Sequence, residues 1–236
     1  MTRPRRPFAV AAALTCVVMV AACTPEPQRW PARTIDGFEI PQITWPHGPP
    51  DTSNPWVEAL LDALIAKAAA TNNHDLSPDG LHQYLTPTYL DSISYHPRQQ
   101  VLFGTYEYYA GPMPFRVGGI TLETPDRAHV TACVLGGQHL DTDEDGSRAP
   151  TDFDAVKEGS VGHFWLERGD DGRIRLRVDA LGGSPCPLGN ARAGYFDPPP
   201  DLTAVPSAIT MPDGTVVSCD PAASKHGCPS GDEPQP

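Results

Sequence analysis

Two groups of side chains have types and spacing suited to chemistry. In Asp141-Thr142-Asp143-Glu144-Asp145-Gly146 the acids alternate and a glycine follows. That is the first half of a calcium loop of EF-hand type, in which oxygens at alternate positions converge on one hard cation while the glycine permits the turn. Asp152 stands at the twelfth position, where such loops usually carry a bidentate glutamate, and Arg148 and Pro150 depart from the pattern. The candidate calcium ligands are Asp141, Asp143, Asp145 and Asp152; a solvated acidic loop between two strands is the plainer reading, with no cofactor. The second group is His163 with Asp179, a base and its orienting partner if hydrogen-bonded. An ordinary cross-strand polar contact is the commoner use of such a pair. Tyr106, Tyr108 and Tyr109 offer rings for a pocket or for packing. His82 and His96 are isolated and read as surface or satisfied histidines. Ser160 lies in Gly-Ser-Val-Gly, which lacks the spacing of a nucleophile elbow, and no glycine-rich phosphate loop follows a strand.

The start of the chain gives an address. Arg3, Arg5 and Arg6 precede an apolar run from Phe8 to Val20, and small residues lead to a cysteine in Val20-Ala21-Ala22-Cys23. This order is that of a secretory signal. The run is shorter than the roughly 20 residues a helix needs to cross a hydrocarbon core, which disfavours a spanning anchor. Around Cys23 the pattern resembles the bacterial lipobox, with Val20 in place of the usual leucine. That resemblance implies diacylglycerol on the Cys23 sulfur, cleavage before Cys23 and further acylation of the new amino group, with palmitate-like chains anchoring the protein to the cell membrane or envelope on its extracytoplasmic side. A plain signal peptide that leaves Cys23 free is the alternative. Thr24 follows, so no aspartate there suggests inner-membrane retention.

Removal of residues 1–22 leaves 14 basic against 29 acidic residues, a formal charge of −15. A nucleic-acid partner is disfavoured by that sign, and since an acidic body gains nothing from anionic headgroups, attachment to a membrane must come from lipid. Beyond Cys16 and Cys23, four cysteines remain, Cys133, Cys186, Cys219 and Cys228. In an exported chain four cysteines suggest two disulfides, with three possible pairings. Cys219 and Cys228 enclose a short loop with no core of its own, so local pairing there leaves Cys133 with Cys186.

The elements that must position these residues are legible in part. Residues 23–53 are proline-rich and read as an extended tether, although Trp30, Phe38, Ile40 and Trp45 are apolar enough for its later half to lie against the domain. Ser53-Asn54-Pro55 is a helix start, followed by Trp56, Val57, Leu60, Leu61, Leu64, Ile65 and Ala68 at helical spacing. Ser77-Pro78 starts a weaker helix, interrupted at Pro87 and resumed through Ile93. Strands follow near 100–109, 115–124, 128–135, 160–168 and 173–181, with turns at Pro125-Asp126 and Asp170-Asp171-Gly172. With an odd loop between the last two strands, Phe164 and Leu166 share a face with Ile174, Leu176 and Val178, while His163, Trp165 and Asp179 share the other. Residues 198–236 form a proline-rich tail with the Cys219–Cys228 loop.

Residues 54–197 thus read as one α+β domain, two N-terminal helices packed on a curved antiparallel sheet of about five strands, stapled by a disulfide. The order of elements over roughly 54–181 resembles the NTF2-like superfamily, and Cys186 through Gly194-Tyr195-Phe196-Asp197-Pro198 resembles the ending of small actinobacterial secreted lipoproteins. The first likeness implies a pocket between helices and concave sheet; the second supports the address and supplies no activity. The leading expectation is a non-enzymatic envelope lipoprotein that presents a domain for a partner protein or a small apolar ligand. The alternatives are an enzyme of SnoaL or ketosteroid-isomerase style using His163 and Asp179, and a calcium-stabilised envelope domain.

Overall fold

The computed structural model describes residues 26–103, 108–135, 139–140, 156–201 and 206–220. Four short strands come first: β1 (Gln28–Trp30), β2 (Arg33–Ile35), β3 (Phe38–Ile40) and β4 (Gln42–Trp45). Asp36 and Gly37 both have positive φ, 47° and 79°, and close the β2–β3 hairpin as a two-residue turn. Phe38, Ile40, Ile43 and Trp45 alternate inward and are among the most deeply buried side chains. The expected tether therefore needs correction over Gln28–Trp45, which is part of the folded domain. Alternating apolar residues there outweigh the proline content, because burying four large side chains offsets the ordering of so short a stretch.

Helix α1 (Pro55–Asn73) is central. The Asn54 side chain accepts from the Trp56 amide at 2.9 Å and Pro55 occupies the first turn, where its missing N–H costs nothing. The helix is buried on most sides, and Ala63, Ala66, Ala68, Ala69 and Ala70 let neighbouring strands approach closely. A short 3-10 helix (Asp79–Gln83) leads to α2 (Pro87–Phe103). Pro87 starts this helix where an interruption was expected: the Thr86 hydroxyl and carbonyl accept from the Tyr89 and Leu90 amides as a cap. The strand expected over 100–109 is corrected too. Val101 continues a helical row with Ile93 and Pro97, and only Tyr108–Tyr109 is a strand, β5.

The main sheet contains β6 (Phe115–Thr124), β7 (Arg127–Val134), β9 (Glu158–Arg168), β10 (Ile174–Ala180) and β11 (Pro185–Pro187); β8 (His139–Leu140) pairs with β5. All its pairings are antiparallel, in the order β10-β9-β7-β6, with β11 also on β9. Phe115, Ala128, Val130, Ala132, Val134, Phe164, Leu166 and Leu176 form its inner face toward α1. Cys133 and Cys186 are disulfide-bonded as expected, with Cα atoms 5.9 Å apart, and so join β7 to β11.

Past the sheet, β12 (Tyr195–Asp197) pairs with β4, which itself pairs with β1. Strands β13 (Ala208–Thr210) and β14 (Val216–Ser218) form a hairpin against α2 with Ile209 buried. Residues 208–218 are thus part of the fold, a correction to the expected tail. The molecule is α+β, two helices with antiparallel sheets and a disulfide. Among the described residues, no helix is long and apolar enough to cross a membrane.

Candidate binding cleft between the two helices

A bulge decides which side chains meet between helices and sheet. Leu176 pairs with Leu166, but Val178 pairs with Trp165 and Asp179 with Phe164, so Arg177 is an extra residue in β10. Alternation reverses beyond it. Val178 is turned to solvent, 40% exposed, and Asp179 is turned inward beside Phe164. There the Asp179 carboxylate meets Lys67, which projects from α1 between Ala66 and Ala68. Lys67 Nζ donates to Asp179 Oδ2 at 2.9 Å and to the Tyr89 hydroxyl oxygen at 3.1 Å. One helix-borne cation thereby ties α1, α2 and β10 together.

Both charges of this pair are largely withdrawn from water, the side chains being 19% and 17% exposed. Such a pair holds because each charge compensates the other; either alone would be costly there. Burial, followed by the Asp179 charge and a hydrogen bond to that carboxylate, raises the Tyr89 hydroxyl well above the usual phenol range. Tyr89 therefore stays protonated at neutral pH and donates to Asp179. Lysine, carboxylate and phenol form a mutually satisfied polar cluster.

Beside Lys67, between α1, α2 and β5, is a cleft of about 220 Å³, whose walls also include Thr71, Ser92, His96, Gln100 and Tyr109. Its rim is rigidly held. Asn72 donates to the Tyr109 carbonyl and accepts from the Tyr109 amide, each at 2.8 Å, clamping β5 to the end of α1. On α2, His96 Nε2 and Gln100 Nε2 are 3.2 Å apart. Hydroxyl, amide and imidazole groups thus surround a space with an apolar stripe from Ile93 and Pro97. This arrangement suits capture of a small polar or amphipathic molecule.

No family model, curated protein or solved structure matches this chain.

The residues expected to carry chemistry are distributed differently from the sequence reading. His163 and Asp179 do not form a pair: His163 lies opposite Ala180 on the outer sheet face, and Asp179 faces the helices. The cause is the Arg177 bulge, which strict alternation does not anticipate. Trp165 stays with His163 on the outer face, and both stack with His129 of β7. Tyr108 is buried against His74 and Tyr109 lines the cleft, whereas Tyr106 lies outside the described residues. Also outside them are Cys23, the four acids Asp141, Asp143, Asp145 and Asp152, and Cys228, the expected partner of Cys219. Ser160 pairs with Pro185 at the sheet edge, His82 is half-buried, and His96 is exposed at the cleft. Lys67 and Tyr89 were not singled out by sequence. The one available signal was a lone lysine set within the alanine run of an otherwise buried helix.

Proposed function

We propose that the protein is an exported lipoprotein, cut before Cys23 and acylated on it, whose domain binds a small polar or amphipathic ligand in the cleft lined by Lys67, Thr71, Ser92, His96, Gln100 and Tyr109. The order of two helices before an antiparallel meander supports an NTF2-like reading of this domain. The observation that carries the binding reading is the lining of the cleft, where Lys67, its charge compensated by Asp179, stands among hydroxyl, amide and imidazole groups. Lys67 is engaged by Asp179 and by the Tyr89 hydroxyl, so its ammonium is fixed in position to orient a ligand. A volume of about 220 Å³ is below the roughly 300–1,000 Å³ of drug-sized pockets, which favours a small ligand.

Thermal-shift measurements with a panel of small carboxylic acids, amino acids and polyols test the cleft. Ser92 is exposed on α2 at its mouth, so Ser92→Trp fills the space without touching the core. Stabilisation of the natural chain by a panel member, absent in Ser92→Trp, is the expected result; equal stabilisation of both would move binding elsewhere. For the address, mass spectrometry of the amino-terminal peptide should find diacylglyceryl on Cys23, and Cys23→Ser should release the protein from membranes. An unmodified thiol at Cys23 would remove the lipoprotein reading.

A further inference from the structure

We propose that His129 and His163 form a two-histidine site for a divalent transition-metal ion, Cu²⁺ above all, on the sheet face turned away from the helices. The two residues are on β7 and β9. Antiparallel pairing sets them on adjacent rungs, with His129 opposite Trp165 and Thr131 opposite His163. Nε2 of His129 and Nδ1 of His163 are 3.0 Å apart. Two imidazole nitrogens on one ion, each at about 2.0–2.1 Å, are separated by about 2.9 Å at a right angle and about 3.3 Å at the tetrahedral angle. The observed spacing, which without an ion is that of a ring-to-ring hydrogen bond, also falls within the range of two ligands on one ion.

Ring orientation is fixed from the side. Trp165 stacks on His129 with centroids 4.7 Å apart and planes 8° apart, and the two imidazoles are themselves within 21° of parallel. Without an ion, one ring donates its N–H to the other. With an ion in place both rings remain neutral, His129 carrying its proton on Nδ1 and His163 on Nε2, so only tautomers change. Imidazole suits Zn²⁺, Ni²⁺ and Cu²⁺, and at a site without imposed geometry Cu²⁺ binds most tightly. Among the described residues no group of three or more His, Cys, Asp and Glu gathers, so the site is argued on its two histidines alone. Thr121, exposed beside His129, leaves that side open. The strongly acidic chain favours accumulation of cations.

Titration of the mature chain with Cu²⁺ at neutral pH, in a buffer that does not chelate copper, tests the site through Trp165. Tryptophan fluorescence should be quenched to saturation at a single equivalent, and His129→Asn or His163→Asn should each weaken binding by about tenfold or more. Trp165→Phe should keep the calorimetric affinity and lose most of the quenching. Unchanged affinity in the double variant His129→Asn/His163→Asn would overturn the proposal. Should a variant not fold, histidine NMR of the natural chain with Zn²⁺ decides: shifts at His129 and His163 support the site, and shifts confined to other histidines overturn it.

Discussion

Asp179 faces Phe164 across β9 and β10, and from that position its carboxylate reaches Lys67 on α1 at 2.9 Å. A single inserted residue, Arg177, makes this possible. The same insertion places Val178 in solvent and docks the end of β10 onto both helices through Lys67 and Tyr89. An apolar side chain has been exchanged for an ionic contact at the boundary between helices and sheet, beside the cleft that Lys67 lines.

Asp179→Ala should destabilise the domain by about 2–3 kcal/mol, since it leaves the Lys67 ammonium largely buried and uncompensated; the residual exposure of both side chains keeps the cost below that of a fully buried pair. Lys67→Met/Asp179→Leu should return most of that loss. Urea unfolding checks both, with the midpoint shifting at constant m. A double variant as unstable as the single one would show that the carboxylate's role is not compensation of Lys67.

What was legible in the sequence follows from local signals. Ser53-Asn54-Pro55 and the apolar spacing after it mark α1, because cap and first-turn chemistry act within a few residues. β6, β7, β9 and β10 were visible as alternating strands with recognisable turns, and Cys133–Cys186 as the pairing left after a local loop. The Arg177 bulge was not legible, because nothing in Leu176-Arg177-Val178-Asp179 distinguishes a bulged strand from a regular one. Nor was the grouping of His129 with His163, which depends on the register of strands separated by a long connection. Proline misled twice: Pro87 is a helix start once Thr86 is seen to cap it, and the prolines around Phe38 and Trp45 flank strands that enter the core.

The Cys133–Cys186 bond closes a sequence separation of 53 residues. Chain-entropy arguments give about 4 kcal/mol for a loop of that length. Cys133→Ala/Cys186→Ala should lose stability of that order, and under reducing conditions the natural chain and the variant should melt together. A natural chain whose melting temperature ignores reductant would mean that the sheet alone holds β11 in place.

Gly80 lies in the 3-10 helix against the β2–β3 hairpin, and a β-carbon on it would land on the Ile35 carbonyl oxygen and the Phe38 side chain. Backbone cannot yield as a flexible side chain can, so Gly80→Ala should cost about 1–3 kcal/mol. Gly119, where a β-carbon meets nothing, is the control. Gly119→Ala should stay within about 0.5 kcal/mol of the natural chain in the same thermal melts.

His74 ends α1 in the left-handed conformation, φ 52°, and lies against Tyr108 and near Phe196. Burial lowers its imidazole from the ordinary 6.5 to about 4, so the folded chain keeps it neutral where the unfolded chain takes a proton. Above pH 6.5 neither state is protonated and the full stability is present. Between pH 6.5 and 4 the unfolded state holds the extra proton, and unfolding free energy should fall by about 1.4 kcal/mol per pH unit, about 3 kcal/mol in all. Below pH 4 both states are protonated and this slope ends. His74→Asn retains a residue that tolerates positive φ and removes the titration. Urea unfolding from pH 7 to 4 should therefore show the natural chain losing about 3 kcal/mol more than the variant; parallel losses would show that His74 takes its proton while folded.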